Sequence, residues 1–186
     1  MQRNLLEASG TEEDITEIAP ANAAGHQLHN IIISTTIIST TMPIINPYLN
    51  FKGNAEVAFT FYKSIFGSDF LTVLRFKDTP EASKLPEKDL NKIMHIALPI
   101  GNGNILMATD ALESVGHSII QGNNFHLSVS TDRDEETRTI FNALAAGGKV
   151  AVPLDKMFWG SYFGMCTDKF GVQWMVSNDQ KISNPK

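Results

Sequence analysis

The chain has 186 residues, 42% of them hydrophobic and 19% charged, with a net charge of −5. That length supports one domain with a substantial core, and the composition is ordinary for a globular protein. The acidic balance and the lack of a Lys/Arg cluster exclude a nucleic-acid partner, a single cysteine (Cys166) excludes an internal disulfide or multi-cysteine metal site, and no segment is apolar enough to span a membrane.

In chain order, Met1 to Ala24 mixes Glu, Asp, Asn, Ala and Thr with little apolar periodicity. From Ile31 to Ile45 a short repeat appears, Ile32-Ile33-Ser34-Thr35-Thr36 against Ile37-Ile38-Ser39-Thr40-Thr41. The run is β-prone and nearly uncharged, an aggregation risk if exposed. It lacks the basic start and apolar core of a signal peptide, and five acidic residues precede Ile18, unlike a transit peptide. A cytoplasmic location is expected. Residues 1–41 read as a disordered or non-native extension with Met42 as the natural start, an added strand or dimer arm being the alternative. Residues 42–180 read as one domain and 181–186 as a tail.

Two units of like order follow. The first, about residues 46–111, opens with a strand at Tyr48 to Phe51. A helix is predicted from Asn54 to Phe66, where Ala55, Ala58, Phe59, Tyr62 and Phe66 recur at helical spacing and Gly67 supplies a stop. Strands are predicted at Phe70 to Phe76, Ile93 to Ile100 and Asn104 to Thr109. A polar loop with Pro80 and Pro86 joins the first two, and the Gly101-Asn102-Gly103 turn joins the last two. After a linker from Leu112 to Asn124, the second unit, about 124–178, begins with a strand at Phe125 to Ser130. Asp132 is placed as the cap of a helix ending at Gly147-Gly148, with Ile140, Phe141, Leu144 and Ala145 on its apolar face. Strands near Val150 to Pro153, Ser161 to Cys166 and Val172 to Ser177 complete it. Each half is βαβββ. The expected fold is α+β: two modules of curved mixed sheet around a cup, with helices outside. The concave surface is the natural place for a ligand.

Four stretches carry a resemblance. They are Tyr48-Leu49-Asn50-Phe51 with Gly53-Asn54-Ala55-Glu56, Met94-His95-Ile96-Ala97-Leu98, Ile105-Leu106-Met107-Ala108-Thr109-Asp110, and Phe158-Trp159-Gly160 with Thr167-Asp168-Lys169-Phe170-Gly171 and Trp174. Together they resemble the PhnB-like branch of the glyoxalase / bleomycin-resistance / dioxygenase (vicinal oxygen chelate) superfamily, over about Ile45 to Asn178. The resemblance implies a βαβββ repeat and a homodimer. Some members of this branch carry a methyltransferase label, but the chain has no Gly-rich loop suited to a methyl-donor nucleotide.

Metal-using members place ligands on the first and last strands of each unit. His126 is the only position that matches, while the corresponding place in the first unit, around Tyr48, and the closing strands Ile105–Ala108 and Gln173–Val176 offer neither Glu nor His. No metal or other cofactor is therefore expected, a divalent ion being the alternative. His95 and His126 are weak candidates for catalysis. Ligand-binding candidates are Tyr48, Asn50, His95, Met107, Asp110, His126, Trp159 and Phe163. Asp110 and Asp168 have turn chemistry as their competing role, Trp174 competes between core and cavity, and His117, in the linker, is given no role.

Three functions follow from this reading. The leading one is a PhnB-like domain that binds a small molecule in an aromatic-lined cup without metal. The second is a metal-dependent lyase, isomerase, transferase or dioxygenase. The third is a structural or regulatory homodimer with a vestigial pocket.

Overall fold

Helix α1 (Ala55–Phe66) shows how the sequence builds the fold. Ala55, Ala58, Phe59 and Tyr62 are buried at spacings of three and four residues, which is one face of a helix. It stops at Gly67, whose φ of +72° is strained for any residue with a Cβ, and whose N–H bonds to the Lys63 carbonyl. The computed structural model describes residues 44–178. The extension expected over 1–41 and the tail over 181–186 lie outside the described residues.

Around α1 stand β1 (Tyr48–Phe51), β2 (Thr72–Arg75), β3 (Ile93–Gly101) and β4 (Asn104–Asp110), in the spatial order β1-β4-β3-β2. β1 runs parallel to β4 and the other pairs are antiparallel. The second module repeats this with β5 (Leu127–Ser130), β6 (Lys149–Lys156), β7 (Tyr162–Thr167) and β8 (Gln173–Ser177), ordered β5-β8-β7-β6, and a helix at Asp134–Ala145. The loop with Pro80 and Pro86, expected to be irregular, holds two 3₁₀ turns and a short helix α2 (Glu87–Leu90); the Asp134–Ala145 helix is α3.

The core lies on the helix side of both sheets. Leu106 and Ala108 of β4, Ile96 and Leu98 of β3, and Cys166, Trp174 and Val176 of the second module share it with Phe59 and Tyr62. Each large apolar side chain so buried contributes about 1.5–3 kcal/mol. Helix α1 crosses from one module to the other: Tyr62 and Phe66 pack on Trp174, with ring centroids 5.5 and 6.1 Å apart, and Phe61 packs on Phe170 at 5.7 Å.

Each module is tied at one corner by a polar side chain at the end of its last strand. Asp110 accepts the N–H groups of Gly53 and Ala55 at the start of α1, both at 3.0 Å, and that of Ile93 at the start of β3, at 2.9 Å. Asn178 does the same work in the second module. It accepts the N–H of Tyr162 at the start of β7 and donates to Asp134 at the start of α3. The structure thereby corrects the helix start. The N-cap position is Arg133, not Asp132, and Asn178 reaches the first turn in place of a cap side chain.

A second correction concerns β3. Strict alternation would set Ile93 and His95 on one face. A bulge shifts the register between Leu74 and Arg75, and Ile93 turns into the core with Ile96 while His95 stays on the opposite face.

Candidate functional site

The sheet face turned away from the helices can be read from the registers. In the first module Tyr48 pairs with Met107 and Met107 with Ala97; Asn50 pairs with Thr109, and one step along β3 from the Ile96–Ala108 pair lies His95. Thr72 and Leu74 of β2 extend these two rows. The structure thus brings Tyr48, Asn50, His95 and Met107 together on one face. These rows carry no Lys, Arg, Asp or Glu. His95 and Met107 are half-buried and Asn50 is exposed.

Tyr48 and His95 form a pair. The Tyr48 hydroxyl lies 3.1 Å from His95 Nδ1, and the two rings stack with centroids 5.7 Å apart and planes 24° apart. Burial raises the Tyr48 pKa, so its hydroxyl keeps its proton near neutrality. Beside them the Thr109 hydroxyl donates to the Ile93 carbonyl at 3.2 Å, leaving lone-pair capacity toward the face.

At one end this face adjoins a cavity of about 640 Å³ lined by Asn50, Phe76, Thr109, Asp110 and the linker residues His117 to Ile120. Two of the expected site residues therefore sit there. Asp110 reaches that cavity, but its carboxylate is occupied by three backbone N–H groups and it is 3% exposed. His117, given no role from the sequence, lines this cavity. Nothing in the letters of the linker signals that it turns back onto its own module.

His126 is half-buried and lines a different cavity, of about 510 Å³, along the seam between the modules, with Asn46, Tyr48, Phe66, Phe125 and Trp174. The registers also correct the place assigned to its counterpart. Ser128 pairs with Met175 as Tyr48 pairs with Met107, so Tyr48 corresponds to Ser128. Two residues earlier, His126 corresponds to Asn46. The metal-type positions are then Asn46, Ile105, His126 and Gln173. Asn46 Oδ1 accepts the Ile105 N–H at 2.9 Å, and Gln173 Nε2 donates to the Gly122 and Phe125 carbonyls. Ile105 has no donor atom. Among the described residues no three His, Cys, Asp or Glu side chains cluster as ligands. One imidazole does not make a divalent-metal site, and the residues present do not fit one.

The remaining aromatics divide. Trp174 is in the core, 1% exposed, with its indole N–H donating to Asp168 at 2.9 Å. Trp159 is 55% exposed at the β6–β7 turn, against Phe158, which is 98% exposed, and near the half-buried Phe163. Asp168 forms the turn as expected, accepting from the Phe170 and Val172 N–H groups, and also accepts the Tyr62 hydroxyl at 2.7 Å. Burial, and then the neighbouring Asp168 charge, push the Cys166 thiol up to about 11. It is a buried core thiol, not a nucleophile.

Comparison with known proteins agrees with this geometry. Residues 43–177 match the family described as 3-demethylubiquinone-9 3-methyltransferase, and the chain belongs to that family. Among solved structures it is similar to protein PA1353 from Pseudomonas aeruginosa, at 37% identity and a TM-score of 0.66, over 74% of this chain and 98% of that one. It is similar to a PhnB protein from Bacillus cereus at 29% identity and a TM-score of 0.59, over 73% and 98% of the two chains. A glyoxalase-related enzyme from Fulvimarina pelagi shares the fold, at 18% identity and a TM-score of 0.50, over 74% and 89%. The chain is a PhnB-like domain of the glyoxalase/bleomycin-resistance/dioxygenase fold. Among the described residues no helix is long and apolar enough to cross a membrane.

Proposed function

We propose that this PhnB-like domain binds an uncharged small molecule on the open face of its first module, without a metal ion. The observation that carries the reading is the convergence of Tyr48, Asn50, His95 and Met107 on one sheet face free of fixed charge, next to a cavity of about 640 Å³. Such a surface combines apolar contact with a few polar groups, which is the make-up of a ligand site.

The family description names a methyltransferase. The chain has no Gly-rich loop leading from a parallel strand into a helix that would suit a methyl-donor nucleotide, and the Gly53 and Ala55 N–H groups at the start of α1 are held by Asp110. That favours binding over methyl transfer. Metal-dependent chemistry is disfavoured by the Asn46, Ile105, His126 and Gln173 set.

The proposal includes a cytoplasmic homodimer, with residues 42–180 as its working domain. In favour of pairing, Phe158 and Trp159 stand exposed on a short turn held by the Met157 and Gly160 backbone, a rigid aromatic anchor. Elemental analysis of the purified full chain, before and after soaking with Zn²⁺, Mn²⁺, Ni²⁺ and Fe²⁺, tests the metal-free reading, with His126→Ala as control. The expected result is no stoichiometric metal. Metal bound by the parent protein and lost in His126→Ala would replace the reading with a metalloenzyme.

A further inference from the structure

The Tyr48–His95 pair defines the chemistry of the ligand more narrowly than the face alone. The pair shares one hydrogen between Tyr48 Oη and His95 Nδ1. Two arrangements of a neutral pair satisfy that geometry. In one, Tyr48 donates to Nδ1; His95 then carries its proton on Nε2, and the Tyr48 oxygen keeps a free lone pair. In the other, Nδ1–H donates to the Tyr48 oxygen; the phenolic O–H is then the free donor and Nε2 the free acceptor. Both arrangements offer the ligand one donor and one acceptor. Neither His95 Nε2 nor the second valence of Tyr48 Oη has another hydrogen-bond partner among the described residues.

A purely hydrocarbon ligand would desolvate both positions and leave them unpaired, at a cost of about 1–3 kcal/mol each. An anionic ligand meets no Lys or Arg on these rows, and burying its charge unpaired is costlier still. A planar ligand suits the stacked rings, 24° from parallel, with the Met107 thioether at the Tyr48 row.

We propose that the Tyr48–His95 pair recognises an uncharged planar molecule that carries a hydrogen-bond donor and an acceptor on one amide group, of the lactam or primary-amide class. This rests on the reading of the module-one face as the ligand site.

Calorimetric titration of the full chain at pH 8 with three probes tests it: 2-quinolone, N-methyl-2-quinolone and 2-naphthoate. The first has the adjacent donor and acceptor, the second lacks the donor, and the third is an anion. The expected result is that 2-quinolone binds roughly 3–10-fold more tightly than its N-methyl form, the worth of one hydrogen bond. The double variant Tyr48→Phe/His95→Leu, which removes the N–H acceptor of either arrangement, should abolish that preference while keeping a folded protein, checked by its thermal transition. Equal affinity for the two quinolones, or a preference for the naphthoate, overturns the inference and leaves a ligand-binding face. A preference that survives the double variant also overturns it, because the pair would not be its source. Binding of none of the three overturns the ligand-site reading and this inference with it.

Discussion

Asp168 is a carboxylate that the fold encloses, at 3% exposure, with no ion pair among the described residues. It is held by four donors: two backbone N–H groups of its own turn, the Tyr62 hydroxyl from the first module and the Trp174 indole from the second. The turn role is visible in the letters Asp168-Lys169-Phe170-Gly171. The tie to Tyr62 is not, because 106 residues separate the two and only the packing of α1 brings them together. Asp168→Asn replaces one accepting oxygen with an amide that cannot accept from both Tyr62 and Trp174. A loss of about 1–3 kcal/mol is expected from the donor left unpaired, read as a lower urea midpoint at unchanged slope. At the same spot, burial first and the Asp168 charge second raise the Tyr62 pKa, and burial raises that of Cys166 to about 11. Both groups hold their protons longer in the folded state than in the unfolded chain, where a thiol ionises near 8.5 and a phenol near 10. The unfolded state then binds fewer protons as pH rises, so stability is full below about pH 8.5 and falls above it. Urea midpoints at pH 8 and pH 11 should show this decline. In the same range Cys166 should resist iodoacetamide at pH 8.5 until the protein is unfolded; rapid native alkylation would contradict its burial.

At the scale of elements, strands and helices were legible because period-two and helical spacing are printed in the sequence. The β1 strand was placed at Tyr48 to Phe51 and found there, and α1 begins one residue later than expected. The start of α3 was misplaced for a physical reason. Its first turn is reached by Asn178 from a strand 44 residues away, a contact that no local cap signal encodes. The same corner device in the first module, Asp110, reads from sequence as a ligand-binding candidate or a turn former, because its three backbone donors come from segments far off in sequence. Asp110→Ala should therefore cost stability through loss of these bonds, several kcal/mol at about 1 kcal/mol or more per bond. Glycine supplies a sharper test. A Cβ at Gly148 would stand 2.2 Å from the Thr167 carbonyl oxygen and 2.9 Å from the Asp168 backbone, so β6 enters against the β7–β8 turn only with a hydrogen there. Gly148→Ala should lower stability by about 1–3 kcal/mol as the turn is displaced. An unchanged midpoint would contradict that close approach.

For the whole molecule, the order βαβββ twice was readable because each module repeats its elements, and the two sheets share the strand order outer-last-third-second. What the sequence left open was which side chains share a face. Register decides that, and register depends on hydrogen bonds between strands and on the bulge that turns Ile93 into the core while His95 faces out. Thus Tyr48, Asn50, His95 and Met107, four of the expected ligand-binding residues, come together, while His126 lies on the seam and Trp159 on an exposed turn. If a second copy covers these surfaces, dilution should shift the emission of the half-exposed Trp159 and leave that of the buried Trp174 unchanged. A monomer mass and constant emission across concentration would contradict pairing. The central claim is that the module-one face binds a small uncharged molecule without metal. Its most direct test is methyl NMR of ¹³C-methionine protein, titrated with uncharged planar fragments with and without EDTA. The account predicts a saturable shift of the Met107 methyl, with Met175 on the other module unmoved. A shift that EDTA abolishes, or one that appears at Met175 and not at Met107, would contradict it.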